Sequence, residues 1–404
     1  MKILIFAHRL DVGGTQVNAI ELAAALRDSH GHEISIFATP GPMLALAEEK
    51  RLRFLPAPEA ADHPSIARIY RLRRVVEVER PDLIHVWDWP QCLDAYFGIY
   101  LPARVPMVVT SMAMVVNREL PKSVPTTFGT PELLEEAAAS GRSRLKLIMP
   151  PVDVELNSPA AVDGRQFRVK HGFSDADLVL VCVSRLVEWM KAESLRLTID
   201  AVRRLGRDLP LNLVIVGDGT SRGEIERLAD QVNAELGRRA IRLVGAMIDP
   251  RAAYAGADIV VGMGGSALRG MAFEKPVIVL GERGFSAPFN PETANFFYHK
   301  GIYGLGDGPS GSDRLTADIA ALAMAPDEFS ALGRFGRDFV VKYYSLRVVA
   351  AELDQFIRES ARIDTPLRNV ILDGIRTSSV VFGQKLVARV RSPRFSAMAA
   401  RRQA

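Results

Sequence analysis

The sequence predicts an α/β protein with two parallel-sheet domains in tandem. Three observations predict it. Short β-branched and aliphatic runs alternate with helix-patterned segments. The alternation pauses over Pro150–Pro159 and then restarts. Several of the apolar runs end in glycine turns, where a strand hands over to a helix. At 404 residues the chain has room for two or three domains, and 48% hydrophobic with 24% charged residues is ordinary globular composition.

In the first half, Ile3–Ala7 reads as a buried strand rather than a secretory signal, because the apolar run is short and runs into His8 and Arg9. Gly13–Arg27 carries Ile20, Leu22, Ala23, Ala24 and Leu26 at helical spacing. Glu33–Ala38 is the next strand, Pro40-Gly41 a turn, and Leu44–Leu52 a helix. Ser65–Glu79 is a charged amphipathic helix, and Pro81 restarts the chain. Leu83–Val86 and Met107–Thr110 are strands, Pro121–Thr130 a polar loop, and Ser143–Pro150 carries a further strand.

Beyond the linker, Leu178–Val183 is a strand and Glu193–Leu205 a helix. Leu211–Val216 is a strand that ends in Gly217-Asp218-Gly219, and Ser221 with Glu224 has capping-box spacing for the helix that follows. Ile241–Val244, Ile259–Val261 and Val277–Leu280 are three more strands. Two such units place a cleft between them, with ligands at the carboxyl ends of the strands.

The stretch Asp258–Lys275 is the most informative. Ile259-Val260-Val261 is followed by Gly262, Gly264 and Gly265, with Ser266 at the expected N-cap and Ala267, Leu268, Met271 and Ala272 at helical spacing. A helix N-terminus presents free N–H groups and partial positive charge, which attract phosphate, and glycine lets a diphosphate approach the backbone. A plain strand-to-helix turn has the same pattern.

Cys92 and Cys182 are far apart and form no CxxC pair, which argues against a disulfide framework or zinc site and fits a reducing cytoplasm. No apolar run approaches the roughly 20 residues of a membrane span. From Arg362 onward the chain has nine Lys/Arg and two acids, an excess of seven positive charges against +4 for the whole protein. The basic character therefore belongs to a tail, and a basic tail suits an anionic partner such as a membrane surface.

Further landmarks fall in order. Gly13-Gly14 follows the first strand and Gly31-His32-Glu33 precedes the second; Pro81-Asp82-Leu83-Ile84-His85 leads toward Trp87. Pro151-Val152-Asp153 marks the link, followed by Ser184-Arg185-Leu186, Lys191, Val216-Gly217-Asp218-Gly219 and Leu243-Val244-Gly245. Ala257-Asp258, Met271-Ala272 and Pro276-Val277-Ile278 complete the series. The series resembles the family-four (group 1) glycosyltransferases of the GT-B fold, two Rossmann-like domains facing a cleft, over roughly residues 1–360.

The resemblance implies sugar transfer from a nucleotide-diphosphate sugar, with retention and without a metal or other cofactor. It implies an acceptor domain over 1–155, a donor domain over 156–343, a crossover helix over 344–361 that returns to the first domain, and a basic amphipathic extension over 362–404. Arg185 and Lys191 take the family's diphosphate-binding positions, two fixed charges suited to a leaving pyrophosphate. Their spacing is one residue longer than the family's pattern. Gly14 resembles the N-terminal loop that approaches the donor or acceptor, Gly245 the nucleobase segment, and Gly264, Gly265 and Ser266 the phosphate turn.

The chain departs from the family at three places. Val261 and Arg269 stand where two glutamates are usual, and Met112 where a histidine is usual. No catalytic residue is therefore assigned. Glu274 and Glu282 are candidate replacements, and Arg269 fits a donor with an extra negative charge. A non-catalytic GT-B homologue that binds or scaffolds is the competing reading. On the acceptor side, His85 and Asp88 cluster with Trp87 and Trp89, and His8 ends the first strand.

In the tail, Leu367, Val370, Ile371, Ile375, Phe382, Leu386 and Val390 lie near one helical face, punctuated by Arg368, Arg376, Lys385 and Arg389. Such a helix suits an anionic membrane interface, and many acceptors of the family are lipid-linked. The expected setting is cytoplasmic, peripheral on the inner membrane face, with a lipid-linked or glycan acceptor. No nucleic-acid motif appears, and no GxGxxG follows the first strand to suggest a dehydrogenase.

Overall fold

The computed structural model describes residues 1–308 and 311–400, leaving aside the side chains of 189, 190 and 387–400. The chain divides into two compact units. One is Met1–Ile148 with the chain from Ala350 onward, the other Met149–Val349.

Unit one holds β1 (Lys2–Phe6), α1 (Gly14–His30), β2 (Glu33–Ala38), α2 (Leu44–Glu49), β3 (Arg53–Pro56), α3 (Ile66–Glu79), β4 (Leu83–Trp87) and α4 (Asp88–Ala95). A π turn (Tyr96–Tyr100), α5 (Leu101–Ala103), β5 (Met107–Ser111), β6 (Thr126–Phe128), α6 (Pro131–Ala139) and β7 (Leu145–Leu147) follow. The sheet runs β3-β2-β1-β4-β5-β6-β7, all parallel. Its strands are apolar on both faces because helices cover both. Strand order reverses between β1 and β4, which opens a crevice at their carboxyl ends.

Two strands depart from the sequence reading. The helix over 44–52 stops at Glu49, and the chain turns through Arg51 at φ 53° into β3. The polar loop over 121–130 contains β6. Thr126 and Thr127 are fully buried there, with hydroxyls spent on Val124 O (2.9 Å) and Thr110 Oγ1 (3.0 Å). A three-residue strand carries too little periodicity to be read; its pairing is imposed by β5 and β7.

Unit two holds α7 (Arg165–Lys170), β8 (Leu178–Val183), a π turn (Glu188–Ala192), α8 (Glu193–Leu205), β9 (Leu211–Val216), α9 (Arg222–Leu236) and β10 (Ile241–Gly245). It continues with α10 (Arg251–Gly256), β11 (Ile259–Gly262), α11 (Gly265–Ala272), β12 (Val277–Leu280), β13 (Ser286–Pro288), α12 (Ala294–Lys300), α13 (Gly311–Ala323) and α14 (Phe329–Tyr344). The sheet runs β10-β9-β8-β11-β12-β13, parallel except for β13. Its switch point lies between β8 and β11.

Two caps differ from expectation. Ser221 sits at φ −89°, ψ 4°, away from the extended conformation of a capping residue, and makes no side-chain cap; its N–H, which the box would offer to Glu224, is committed to Leu186 O at 2.8 Å. Its would-be partner Glu224 instead takes Arg196 at 2.8 Å. Ser266 lies inside α11, whose cap is Gly264 at φ 56°, a conformation that glycine holds without strain.

The chain closes with α15 (Leu346–Ala361) and α16 (Leu367–Ala400). The start of α16 is part of unit one. Val370 is fully buried, and its carbonyl accepts from Tyr96 Oη at 2.6 Å. Asp373 accepts from Ser123 N at 2.6 Å, and Arg376 donates to Leu120 O at 2.7 Å. Val370 therefore leaves the predicted exposed face. Leu367, Ile371, Ile375, Phe382 and Leu386 remain exposed, joined by Leu372. Val390 and Arg389 lie outside the described side chains.

Candidate active site

Parallel strands deliver their following loops to one edge of a sheet. In unit two this gathers Arg185 after β8, Gly217–Gly219 after β9, Gly245 at the end of β10, Gly264–Ser266 after β11 and Glu282 after β12.

Arg185 is positioned by backbone. Ser184 N donates to Val216 O (2.9 Å) and Leu186 N to Asp218 O (2.9 Å), so the segment bearing Arg185 lies flat on the Gly217-Asp218-Gly219 turn. A Cβ on Gly217 would strike Ser184 O, and one on Gly219 would strike Leu186 O. The two glycines, at φ 150° and 156°, are what allow the approach. Arg185 itself is exposed. Gly217 N also donates to Gly245 O at 2.8 Å, which ties the β10 end to the same turn.

Lys191 lies in the π turn before α8. Burial pulls its ammonium down to about 8; Cys182 and Glu282 act to raise it, and the Arg185 charge pushes it down further. Such a lysine is charged below about pH 8 and gains most from a bound anion that restores its countercharge.

Glu282 is held from several sides. Its N–H donates to Gly304 O at 3.1 Å, and Gly281 O accepts from Ser194 Oγ at 3.0 Å. Tyr303 Oη donates to Glu282 Oε1 at 2.7 Å. Burial and that carboxylate push the Tyr303 phenol up, so it stays a donor. Glu193, at the start of α8, accepts from the N–H groups of Arg283 (3.0 Å) and Gly284 (3.1 Å). The Glu282 loop is thereby tied to the helix that follows Lys191.

α11 begins across the switch point from β8. Gly264 N donates to Ile302 O at 2.7 Å, which fixes the turn. Ser266 Oγ accepts from Tyr254 Oη at 3.2 Å, and Arg269 reaches back to Gly265 O at 3.2 Å. Ser266 thus orients the turn through Tyr254 instead of capping it. Val261 is buried in β11, where no sugar hydroxyl can meet it. Glu274 lies on the far side of α11 and pairs with Arg337 at 3.6 Å, so it does not join the Glu282 loop.

In unit one the expected cluster separates. His85 is fully buried in mid-β4, its Nε2 2.7 Å from Thr110 Oγ1, and burial lowers it to about 3, so it is neutral. This corrects its acceptor-side placement: alternation along β4 turns His85 into the sheet, where only a satisfied, uncharged imidazole is tolerated. Trp87 is buried as well, and Trp89 meets His63 edge-on. Asp88 stands at the switch point with φ 58°. It accepts from Met112 N at 2.9 Å and pairs with His8 Nε2 at 3.1 Å. His8 is the residue that sequence reasoning underweighted; its position just past β1, beside the reversal of strand order, was the available signal. Gly14 opens α1 with nothing within 4 Å of where a Cβ would stand. Packing therefore does not demand a glycine there, whereas close approach of a ligand to the helix start would.

Asp88→Ala is expected to destabilise unit one by about 1–3 kcal/mol, because it removes the acceptor of the half-buried Met112 N–H and places an ordinary residue in a left-handed conformation. Asp88→Asn, which keeps both features, is expected to cost under about 1 kcal/mol. Urea titration of the two variants checks this.

Among the described residues, no group of three or more His, Cys, Asp or Glu side chains could hold a metal ion. No described helix is long and apolar enough to cross a membrane.

Two doubly wound units, one with a basic and glycine-lined switch point, are the architecture of the GT-B fold. The chain belongs to the family 4, group 1 glycosyltransferases: the family described as Glycosyltransferase Family 4 matches residues 12–116, and Glycosyl transferases group 1 matches residues 177–297. Solved structures share the fold. A glycosyltransferase from Rickettsia africae superposes with TM-score 0.73 at 14% identity, over 90% of this chain and 99% of that one. HepE from Anabaena, solved in complex with UDP, has TM-score 0.69 and 16% identity over 89% and 100% of the two chains. WaaG, a glycosyltransferase involved in lipopolysaccharide biosynthesis, has TM-score 0.62 and 15% identity over 87% and 99%. No curated protein matches the chain.

Proposed function

We propose that the protein moves a sugar, with retention and without a metal, from a nucleotide-diphosphate sugar held by unit two to a lipid-linked or polysaccharide-precursor acceptor. The carrying observation is that Arg185 and Lys191, the α11 N-terminus and Glu282 come from three loops at one end of one sheet. The two cations and the free N–H groups of α11 match a diphosphate whose charge grows as the glycosidic bond breaks. Glu282, fixed by Tyr303, supplies the sugar-side carboxylate that Val261 cannot. In that site Gly245 lies toward the base and Arg269 toward the ribose. Gly14 serves the donor, and His8 and Asp88 the acceptor side.

Uracil is the first base to test, since the fold relative HepE was solved with UDP and with UDP-glucose. A thermal-shift panel of UDP, GDP, ADP and dTDP with their common sugars tests the reading. One base is expected to raise the melting temperature, and the Arg185→Ala and Lys191→Ala variants to lose that rise. A second reading, a binding or scaffold protein without transfer, is favoured by Val261, Arg269 and Met112 at the family's carboxylate and histidine positions. Nucleotide binding without turnover of any sugar would select it.

We further propose a cytoplasmic protein that sits peripherally on the inner membrane face through α16. Its exposed Leu367, Ile371, Leu372, Ile375, Phe382 and Leu386 support this, as does the excess of positive charge from Arg362 onward. Truncation at Arg362 would strip buried contacts such as Val370, so point changes are the cleaner test. Phe382→Glu with Leu386→Glu is expected to weaken sedimentation with anionic vesicles about tenfold or more, at unchanged nucleotide affinity. Equal sedimentation would remove the membrane reading.

A further inference from the structure

A hollow of about 300 Å³ in unit two is lined by Lys170, His171, Arg239, Arg242, Leu243, Val244 and Met247. Three elements build it: Lys170 ends α7, Arg239 lies in the turn before β10, and Arg242 is the second residue of β10. β10 is an edge strand, so this flank is not covered by a further strand. Arg239 and Arg242 stand at the start of β10, whereas the donor-side loops leave the carboxyl ends of the strands.

The lining holds four basic side chains and no carboxylate. Arg242 is held in place: it donates to Asn212 Oδ1 at 3.1 Å, and its guanidinium lies 4.3 Å over the Phe173 ring. The His171 ring packs on Phe167 at 4.5 Å, and its Nε2 is buried without a hydrogen-bond partner. Among the described residues, Lys170 and Arg239 make no ion pair. Asp177, the carboxylate that acts on Arg242, is already taken by Ser174 N (2.8 Å), Ser174 Oγ (2.7 Å) and Asn212 Nδ2 (2.8 Å).

We propose that this hollow, on the outer flank of β10 and next to the Gly245 segment, is a second anion site that takes a compact multivalent oxyanion of the phosphate or pyrophosphate class. The converging cations outnumber the Asp177 carboxylate and raise the local potential, and a rigid guanidinium offers bidentate donation to such an anion. The His171 ring lies in the wall of the hollow, with its Nε2 shielded from solvent. Burial and the charges of Lys170, Arg242 and Arg239 hold its imidazole below the ordinary range, so the positive field is felt inside the hollow. An oxyanion bound there removes that repulsion and raises the imidazole toward its charged form.

The test uses the full chain with labelled histidine, titrated with inorganic pyrophosphate in saturating UDP; His171→Gln assigns the resonance. The expected result is an upward move of the His171 titration midpoint on adding pyrophosphate. That response is expected to be lost in Lys170→Gln/Arg239→Gln, with pyrophosphate affinity down about tenfold or more and UDP affinity and melting temperature unchanged. A His171 midpoint indifferent to pyrophosphate, or equal affinity in the double variant, overturns the proposal. Vesicles containing phosphatidic acid separate the sources. Loss of their binding in the double variant points to a lipid-borne phosphate, and loss of pyrophosphate binding alone to a free one. Failure of UDP to bind would count against the donor reading only, because the histidine signal is read independently.

Discussion

Lys191→Ala is expected to abolish the nucleotide-induced rise in melting temperature and to lower kcat/KM by about 10²–10³-fold, the range seen when one preorganised charge-stabilising donor is removed. The expectation rests on where the charge sits. Burial brings the ammonium down to about 8, so the free site holds a costly cation whose partner arrives with the donor. The sign with pH follows. Below about 8 the lysine is charged and the site is ready for a diphosphate; above it the proton is lost and donor affinity falls. Binding measured above pH 8 is accordingly expected to take up a proton, seen as a buffer-dependent heat in calorimetry. Stability moves the other way. Between about 8 and the ordinary 10.5 the unfolded chain keeps a proton that the folded chain has released, so this group's contribution to stability rises with pH over that window. Lys191→Ala removes both dependences. An unchanged pH profile in the variant would place the diphosphate elsewhere.

Gly217→Ala is expected to be the most damaging single methyl group in unit two. The residue has φ 150°, and the added Cβ lands on the Ser184 carbonyl oxygen. Left-handed strain and a backbone clash that no rotamer relieves together cost about 3 kcal/mol or more. Unit two is expected to melt roughly 6–12 °C lower, followed by calorimetry of the full chain. Nucleotide affinity falls with it, because the displaced segment carries Arg185. Gly14→Ala is the internal contrast: with nothing within 4 Å of its Cβ position, it is expected to leave stability within about 0.5 kcal/mol or raise it.

The regular core was legible because burial on both faces writes itself into the sequence. Glu33–Ala38, Leu178–Val183, Leu211–Val216 and Val277–Leu280 are strands with the bounds that their apolar runs mark. β3 and β6 were not legible, since Arg53, Thr126 and Thr127 become strand residues only when a neighbouring edge offers hydrogen bonds. The loops proposed to hold the donor were picked out by their glycines and by the resemblance at Arg185 and Lys191. Which acids attend them was not: Glu274 and Glu282 are equivalent in one dimension, and only the fold sends one to Arg337 and the other to Tyr303.

The sequence by itself therefore determined the alternation of strand and helix, the two units, the family and the basic tail, because periodicity, glycine turns and charge are local properties of the chain. The tertiary structure alone decided that His85 is a neutral core residue, that His8 pairs with Asp88, that Ser266 serves Tyr254 and that the start of α16 belongs to unit one. Each of these depends on a partner far away in sequence or on the facing of one side chain. Burial and charge at such positions are set by strand order and helix packing, which no local pattern encodes.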